Sequence, residues 1–354
     1  MSPVLFFDPL CASPYSGATL REQGLAGTEA STVRLAEALD ARVAQHNRTR
    51  AEGRYLPPAA VTDVNDVIVL RDPRALVRAS QLFPRARMHL WVHDRIEPGS
   101  SRSRWFVAAA PHLRRLHPDV ICVSEYQRTL VAATLRGIDG CQQLNVRRIY
   151  NPVDDSLIPD GSPFDPSKLL FFSSPNKGLS LTLDAFRALR RSIPELRLCV
   201  ANPGYKQYAS VKIDGVEWLG SLPHARVMAE ARTALCTFSA NFVIPETFGL
   251  VFAESRAVGT PVLTHDCGAA REVLDDPRQL LPVTATQRAY EAALHRVTPL
   301  WRGRAASFAG RLGLFDGYLE RVRDWRNGGR PSVGPDARFR LSTIAAEWRA
   351  LLGS

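Results

Sequence analysis

Two carboxylates, Glu246 and Glu254, bracket the segment Pro245-Glu246-Thr247-Phe248-Gly249-Leu250-Val251-Phe252-Ala253-Glu254. The spacing predicts a helix beginning near Thr247, with Glu246 just ahead of it and Glu254 about two turns inside. A helix start exposes backbone N–H groups without intrahelical acceptors, and Gly249 lets an anion approach them closely. At most about 12 Å separates the carboxylates if the rise is helical, so one can meet a sugar and the other a ribose with a diphosphate between. Taken singly, Glu246 also fits a helix N-terminal acid and Glu254 a solvated one. Against the second alternative, Glu254 lies among Val251, Phe252 and Ala253, where an unpaired carboxylate is costly to bury.

Other reactive residue types fall directly after short apolar runs. His93 and Asp94 follow Met88–Val92, and Ser173, Ser174, Asn176 and Lys177 follow Leu169–Phe172. A lysine at the start of a helix opposes the macrodipole, which a bound anion would reverse. His93, at a strand end and next to a carboxylate, is placed to orient or polarise a substrate, with a satisfied core histidine as the plainer alternative.

The elements that must position these residues alternate. Runs rich in Val, Ile, Leu and Phe (Val4–Phe7, Val67–Leu70, Met88–Val92, Val120–Val123, Arg147–Tyr150) read as buried parallel strands, and Thr28–Ala44 reads as an amphipathic helix. Asn151–Pro166 carries four prolines and turn-forming Asp and Gly, and marks a boundary. A second series follows: Leu169–Phe172, Leu196–Ala201, Val216–Leu219, Ala234–Phe238, Pro261–Thr264 and Leu280–Leu281. The expected fold class is α/β, with two Rossmann-like doubly wound domains facing across a cleft, at residues 1–155 and 156–335. A helix within residues 336–354, with Ile344, Trp348 and Leu351 on one face, is expected to pack back on the first domain.

With 354 residues, 45% hydrophobic and 23% charged, the chain has the composition of a globular protein large enough for two cores. No run approaches the roughly 20 apolar residues of a membrane span, and the start lacks a basic leader pattern, so a cytoplasmic location is expected. The six cysteines include no C-x-x-C pair, which argues against a zinc site or a disulfide framework. A net charge of +10 suits a phosphorylated ligand or an anionic membrane surface; no RNA- or DNA-binding motif accompanies it, and nucleic acid is not expected as a partner.

In this set of segments the chain resembles the retaining glycosyltransferases of family 4, which have the GT-B fold. The matching residues are Glu246 and Glu254 with Phe248-Gly249 between them, Gly259-Thr260-Pro261-Val262, Gly24-x-x-Gly27-Thr28-Glu29, Trp91-Val92-His93-Asp94, Val123-Ser124-Glu125, Asn151-Pro152-Val153 and Ser173-Ser174-Pro175-Asn176-Lys177-Gly178-Leu179. They occur in the family's order over nearly the whole chain. One feature departs: where many members carry a Gly-Arg pair whose arginine contacts the donor diphosphate, this chain has Ser173-Ser174.

The resemblance implies a retaining hexosyltransferase that moves a sugar from a UDP- or GDP-type nucleotide sugar to an acceptor hydroxyl in glycan or glycoconjugate synthesis. It implies no cofactor and no metal. His93, Asp94 and Glu246 would be catalytic. Gly27, Thr28, Ser173, Ser174, Asn176, Lys177, Phe248, Gly249, Leu250 and Glu254 would bind the donor. Glu29, Arg102 and Arg104 would face the acceptor, whether glycan, lipid or small molecule. The basic and aromatic stretch from Arg102 to Arg115 is a candidate for peripheral membrane contact at the inner face of the cytoplasmic membrane, or else a solvated helix. A nucleotide-sugar epimerase of the same fold and a non-catalytic nucleotide-sugar-binding protein are the competing readings.

Overall fold

A computed structural model describes residues 3–202, 212–296 and 313–353. Two compact units emerge. One comprises Met1–Leu20, Gly27–Asp155 and Ala337–Ser354, and the other Arg21–Ala26 with Ser156–Asp336. The short segment Arg21–Ala26, expected within a continuous first domain, thus groups with the second, where the Ser221 hydroxyl donates to the Gln23 carbonyl at 3.2 Å.

The first domain runs β1 (Val4–Asp8), α1 (Gly17–Glu22), α2 (Gly27–Ala38), β2 (Arg42–Gln45), β3 (Tyr55–Leu56), β4 (Asp66–Leu70), α3 (Leu76–Leu82), β5 (Arg87–Val92), α4 (Ser103–Leu116), β6 (Asp119–Cys122), α5 (Glu125–Arg136) and β7 (Val146–Arg148). Its sheet has the order β3-β2-β1-β4-β5-β6-β7, with every pair parallel. All five residues of β1 and of β4 are buried, as strands covered on both faces require.

The helix expected over Thr28–Ala44 stops at Ala38, and its last residues belong to β2. The break is local: Asp40 takes a left-handed φ of +50°, a conformation a helix cannot continue through. Ser124 starts α5 as its cap, its Oγ accepting from the Gln127 N–H at 2.9 Å.

The second domain runs β8 (Asp165–Phe171), α6 (Leu179–Ser192), β9 (Arg197–Asn202), β10 (Val216–Ser221), α7 (His224–Arg232), β11 (Ala234–Ser239), α8 (Leu250–Ala257), β12 (Val262–His265), α9 (Ala270–Val273), β13 (Leu280–Leu281), α10 (Ala285–Arg296) and α11 (Asp316–Gly328). Its sheet order is β10-β9-β8-β11-β12-β13, again parallel throughout. Both sheets reverse strand order once, between β1 and β4 in the first domain and between β8 and β11 in the second. Such reversals open a crevice at the carboxyl ends of the strands.

The chain's last helix, α12 (Leu341–Leu352), belongs to the first unit. Its Trp348 lies edge-on to Trp91 and to Phe6, with ring centroids 5.3 and 6.1 Å away, and Arg349 donates to the Ala38 carbonyl at 2.6 Å. Among the described residues no helix is long and apolar enough to cross a membrane.

Candidate functional site

The reversal between β8 and β11 places two loops side by side that are far apart in the chain. After β8, the turn through Ser174 and Lys177 closes with the Lys177 N–H on the Ser174 carbonyl at 2.8 Å, and the Ser174 hydroxyl donates to Asn176 Oδ1. Gly178 ends the turn at φ +91°, and a Cβ there would lie 2.4 Å from Cβ of Asn241 on the loop after β11. Only glycine permits that approach. Asn241 in turn shapes its own loop, its Oδ1 accepting from the Val243 and Ile244 N–H groups and its Nδ2 donating to the Ile244 carbonyl at 2.6 Å.

This closeness brings Lys177 to Glu246: Nζ donates to Oε2 at 2.6 Å, with the glutamate side chain 10% exposed and the lysine 42%. Two residues that the sequence assigns to different parts of a donor are thus an ion pair. A lysine head has three donors, and the pair uses one of them.

The helix after Glu246 begins at Leu250, three residues later than expected, because Gly249 occupies the left-handed region at φ +85° and acts as its N-cap. Glu254 consequently stands little more than one turn inside α8. It is buried, and His224, the first residue of α7, lies with Nε2 3.0 Å from its Oε1. His224 is a candidate site residue that the sequence reading missed. Phe248 is also buried, which limits it to backbone contributions at the surface of the site, whereas Leu250 and Ser173 are half-buried and Asn176 is exposed.

Next to the Ser173 turn, the carboxyl ends of β8, β9 and β10 enclose a cavity of about 290 Å³ lined by Phe171, Ser173, Leu179, Val200, Asn202 and Trp218. Small-molecule sites begin at about 300 Å³, so this space suits one flat ring rather than a whole donor.

His265, at the end of β12, is part of the core. Its ring lies 5.1 Å from that of Tyr318 and 5.2 Å from that of Phe242, with Nδ1 3.3 Å from the Leu281 carbonyl and Nε2 3.2 Å from Gln287 Nε2. A donating Nδ1 and an accepting Nε2 describe a neutral ring. Burial pushes its pKa down to about 4. A histidine whose folded value lies below its unfolded value of about 6.5 takes up its proton more readily unfolded, so this group contributes full stability above about pH 6.5 and loses it as the pH falls towards 4. Denaturant melts between pH 7 and pH 4.5 should show about 2 kcal/mol less acid loss in His265→Gln than in the parent. Equal slopes would contradict the neutral assignment.

In the first domain, His93 and Asp94 follow β5 as expected. The His93 ring packs against Trp91 with centroids 4.4 Å apart, and the Asp94 carboxylate lies 3.4 Å from Arg102 Nη2. The guanidinium groups of Arg102 and Arg74 each lie over the Trp105 ring, 3.9 and 4.1 Å from its centroid, so Arg102 is held by an acid and an aromatic face. Arg104 is exposed, Gly27 opens α2, and the Thr28 carbonyl accepts from Thr32 Oγ1 at 2.8 Å. Glu29 pairs with Arg71, which also pairs with the buried Asp8. Asp8 and Arg71 went unremarked as site candidates, although each stands at a strand end, the position that singled out His93.

Two doubly wound parallel α/β domains with these strand orders define a GT-B architecture. Residues 165–298, within the second domain, match the family model for glycosyl transferases group 1. Over 109 residues it is 30% identical to a phosphatidyl-myo-inositol mannosyltransferase of Mycobacterium leprae, covering 30% of this chain and 29% of the relative. A protein of the same description from Mycolicibacterium smegmatis is 28% identical over 138 residues, 36% of either chain. The match thus spans about a third of the length of these relatives. Among solved structures, Anabaena Alr3699/HepE in complex with UDP and glucose superposes over 100% of both chains with a TM-score of 0.61 at 16% identity. Sucrose-phosphate synthase from Thermosynechococcus elongatus covers 99% of this chain and 98% of its own, with a TM-score of 0.63 at 17% identity. At such identities these two likenesses concern the fold.

Proposed function

We propose that the protein is a glycosyltransferase that moves a sugar from a nucleoside diphosphate sugar to an acceptor hydroxyl with retention at the anomeric carbon. The observation that carries this reading is the meeting of Lys177 and Glu246 at the strand-order reversal, beside the N-terminus of α8. A cation and a row of backbone N–H groups there neutralise a departing diphosphate, and a carboxylate next to them can bind the sugar as it gains positive charge. Glu254, fixed by His224, takes the ribose hydroxyls, and the cavity beside Ser173 takes the base. The match of residues 165–298 to the glycosyl transferases group 1 model, and relatives described as phosphatidyl-myo-inositol mannosyltransferases, support sugar transfer to a hydroxyl.

The mechanism follows from this arrangement. The acceptor oxygen approaches the anomeric carbon from the face the diphosphate leaves, and a diphosphate oxygen takes its proton. His93 and Asp94 orient the acceptor. No protein nucleophile is required, so the close carboxylate pair of a retaining hydrolase is not needed. The reading places the reaction in the cytoplasm, at the membrane inner face if the acceptor is lipid-linked.

Because Lys177 and the helix terminus supply the positive charge, the reaction is expected to proceed without a divalent cation. Binding of UDP and GDP, followed by calorimetry, and consumption of their sugars should persist within about twofold after exhaustive chelation, a change of no more than about 0.4 kcal/mol. An activity lost to chelation and restored by magnesium or manganese would overturn the metal-independent assignment, and failure of every nucleoside diphosphate to bind would overturn the donor assignment.

A further inference from the structure

The last helix of the chain packs against the strand that leads to His93. Side chains along a strand alternate between the faces of the sheet, and in β5 Leu90 and Val92 enter the core cluster of one face while Trp91 points to the other. Trp91 is fully buried, and the His93 ring rests on it with planes tilted by 56°. The same indole meets Trp348 of α12 edge-on, and Phe6 of β1 lies 5.9 Å from Trp91 and 6.1 Å from Trp348. Aromatic pairs prefer edge-to-face or offset geometry, so each ring restricts the tilt of the next. A contiguous set of rings thus runs from the last helix to the histidine.

Several polar contacts fix α12 along its length. Arg349 donates to the Ala38 carbonyl, Arg87 at the start of β5 donates to the Leu352 carbonyl at 2.7 Å, and Glu347 lies 3.7 Å from Arg148 of β7. Ahead of the helix, the Val153 N–H donates to the Phe339 carbonyl at 2.7 Å and the Leu341 N–H to the Val153 carbonyl at 2.8 Å. The helix therefore runs antiparallel to β5, with Leu352 at the beginning of the strand and Trp348 beside Trp91 near its end. Both indole N–H groups, of Trp91 and of Trp348, are buried without a hydrogen-bond acceptor among the described residues. An unpaired buried donor is costly, and a phenyl ring would fill space without that cost. The contact surface of the larger indole is what the two positions gain in return.

We propose that Trp348 is a positioning residue for His93, acting through Trp91, so that the docked last helix sets the orientation of the imidazole. The inference rests on the reading that His93 orients the acceptor. With Trp348 shortened, space opens beside the Trp91 indole, which relaxes into it, and the imidazole loses the surface that holds its tilt. A displacement of about 1 Å at a reacting centre can lower the rate about a hundredfold, so partial release should lower kcat about tenfold. Lys177, Glu246 and Glu254 all belong to the other compact unit, so donor affinity should not follow.

The test compares Trp348→Leu and Trp348→Phe with the parent in the full chain. Ile344→Ala, which removes buried volume one turn earlier on α12, controls for loss of stability. NMR with labelled histidine rings reads the His93 ring shifts and the cross-peaks between His93 and Trp91 protons without any substrate. Kinetics with UDP-glucose and GDP-mannose, whichever is consumed, reads kcat and donor KM. Trp348→Leu should move the ring shifts, weaken the cross-peaks and lower kcat about tenfold, with donor KM and the UDP or GDP Kd within about twofold of the parent. Trp348→Phe should fall between, because it keeps an aromatic edge against Trp91. Ile344→Ala should lower the melting temperature and leave the His93 signals and kcat in place. Unchanged His93 shifts and cross-peaks in both Trp348 variants overturn the proposal, as does an equal kcat loss in Ile344→Ala. Should Trp348→Leu not fold, Trp348→Phe decides by the same NMR signals. If the parent consumes neither sugar nucleotide, the transferase reading suffers, while the NMR comparison still decides whether Trp348 orients His93.

Discussion

Replacing Lys177 with alanine is expected to weaken nucleoside diphosphate binding about thirtyfold while changing nucleoside binding by less than about threefold, the difference being that of one strong charge-assisted contact. The ammonium is a positive group at the turn after β8, and Ser173-Ser174 stand where many members of the family that the sequence resembles carry an arginine for the diphosphate. The structure adds a second contribution. Without the lysine, the Glu246 carboxylate loses a cation 2.6 Å away while a dianionic ligand arrives beside it. Lys177→Ala combined with Glu246→Gln should therefore bind the diphosphate more tightly than Lys177→Ala alone, a coupling expected of residues in contact. Calorimetry with UDP or GDP against the matching nucleoside measures both effects. Equal losses for the two ligands would remove Lys177 from the diphosphate site, and additive behaviour in the double variant would show that the ion pair has no part in binding.

Glu246→Gln and Glu254→Gln should differ in kind. Glu254, on α8 and held by His224, is assigned to ribose hydroxyls that do not change during reaction. Contacts of equal strength in ground and transition states appear in the donor KM. Glu246 is assigned to the sugar as charge develops on its ring, so its replacement should lower kcat about a hundredfold or more, in the range seen when one electrostatic group is removed from a reacting centre. The steady-state comparison at saturating acceptor decides. A Glu246→Gln kcat within about threefold of the parent, or about 0.7 kcal/mol, would make the role assigned to Glu246 wrong.

What could be read in the sequence follows the range of the physical signal. The β/α alternation is written in local apolar runs, and strands buried on both faces, such as β4 and β11, stand out clearly. β2 escapes because Arg42–Gln45 continues the helical spacing of α2, and only the backbone turn at Asp40 separates them. The late start of α8 has the same origin: Gly249 is compatible with a helix in composition, yet its left-handed backbone ends the preceding loop.

Pairings across the fold are a different matter. Lys177 and Glu246, or Asp8 and Arg71, meet because β8 neighbours β11 and β1 neighbours β4, facts of sheet order that no local pattern contains. His224 shows the same limit. It opens a helix where a histidine has no special propensity, and its role appears only through the distance to Glu254. Asp8 and Arg71 were within reach of the strand-end rule, since each borders a strand of the first sheet.

The most direct test of the account is proton NMR of the protein with UDP- and GDP-hexoses of defined anomeric configuration and a hydroxyl acceptor, read at early times. The account predicts release of nucleoside diphosphate together with a new anomeric signal whose coupling matches that of the donor. An inverted anomeric signal, isomerisation of the donor without release of the diphosphate, or no consumption of any donor would contradict it.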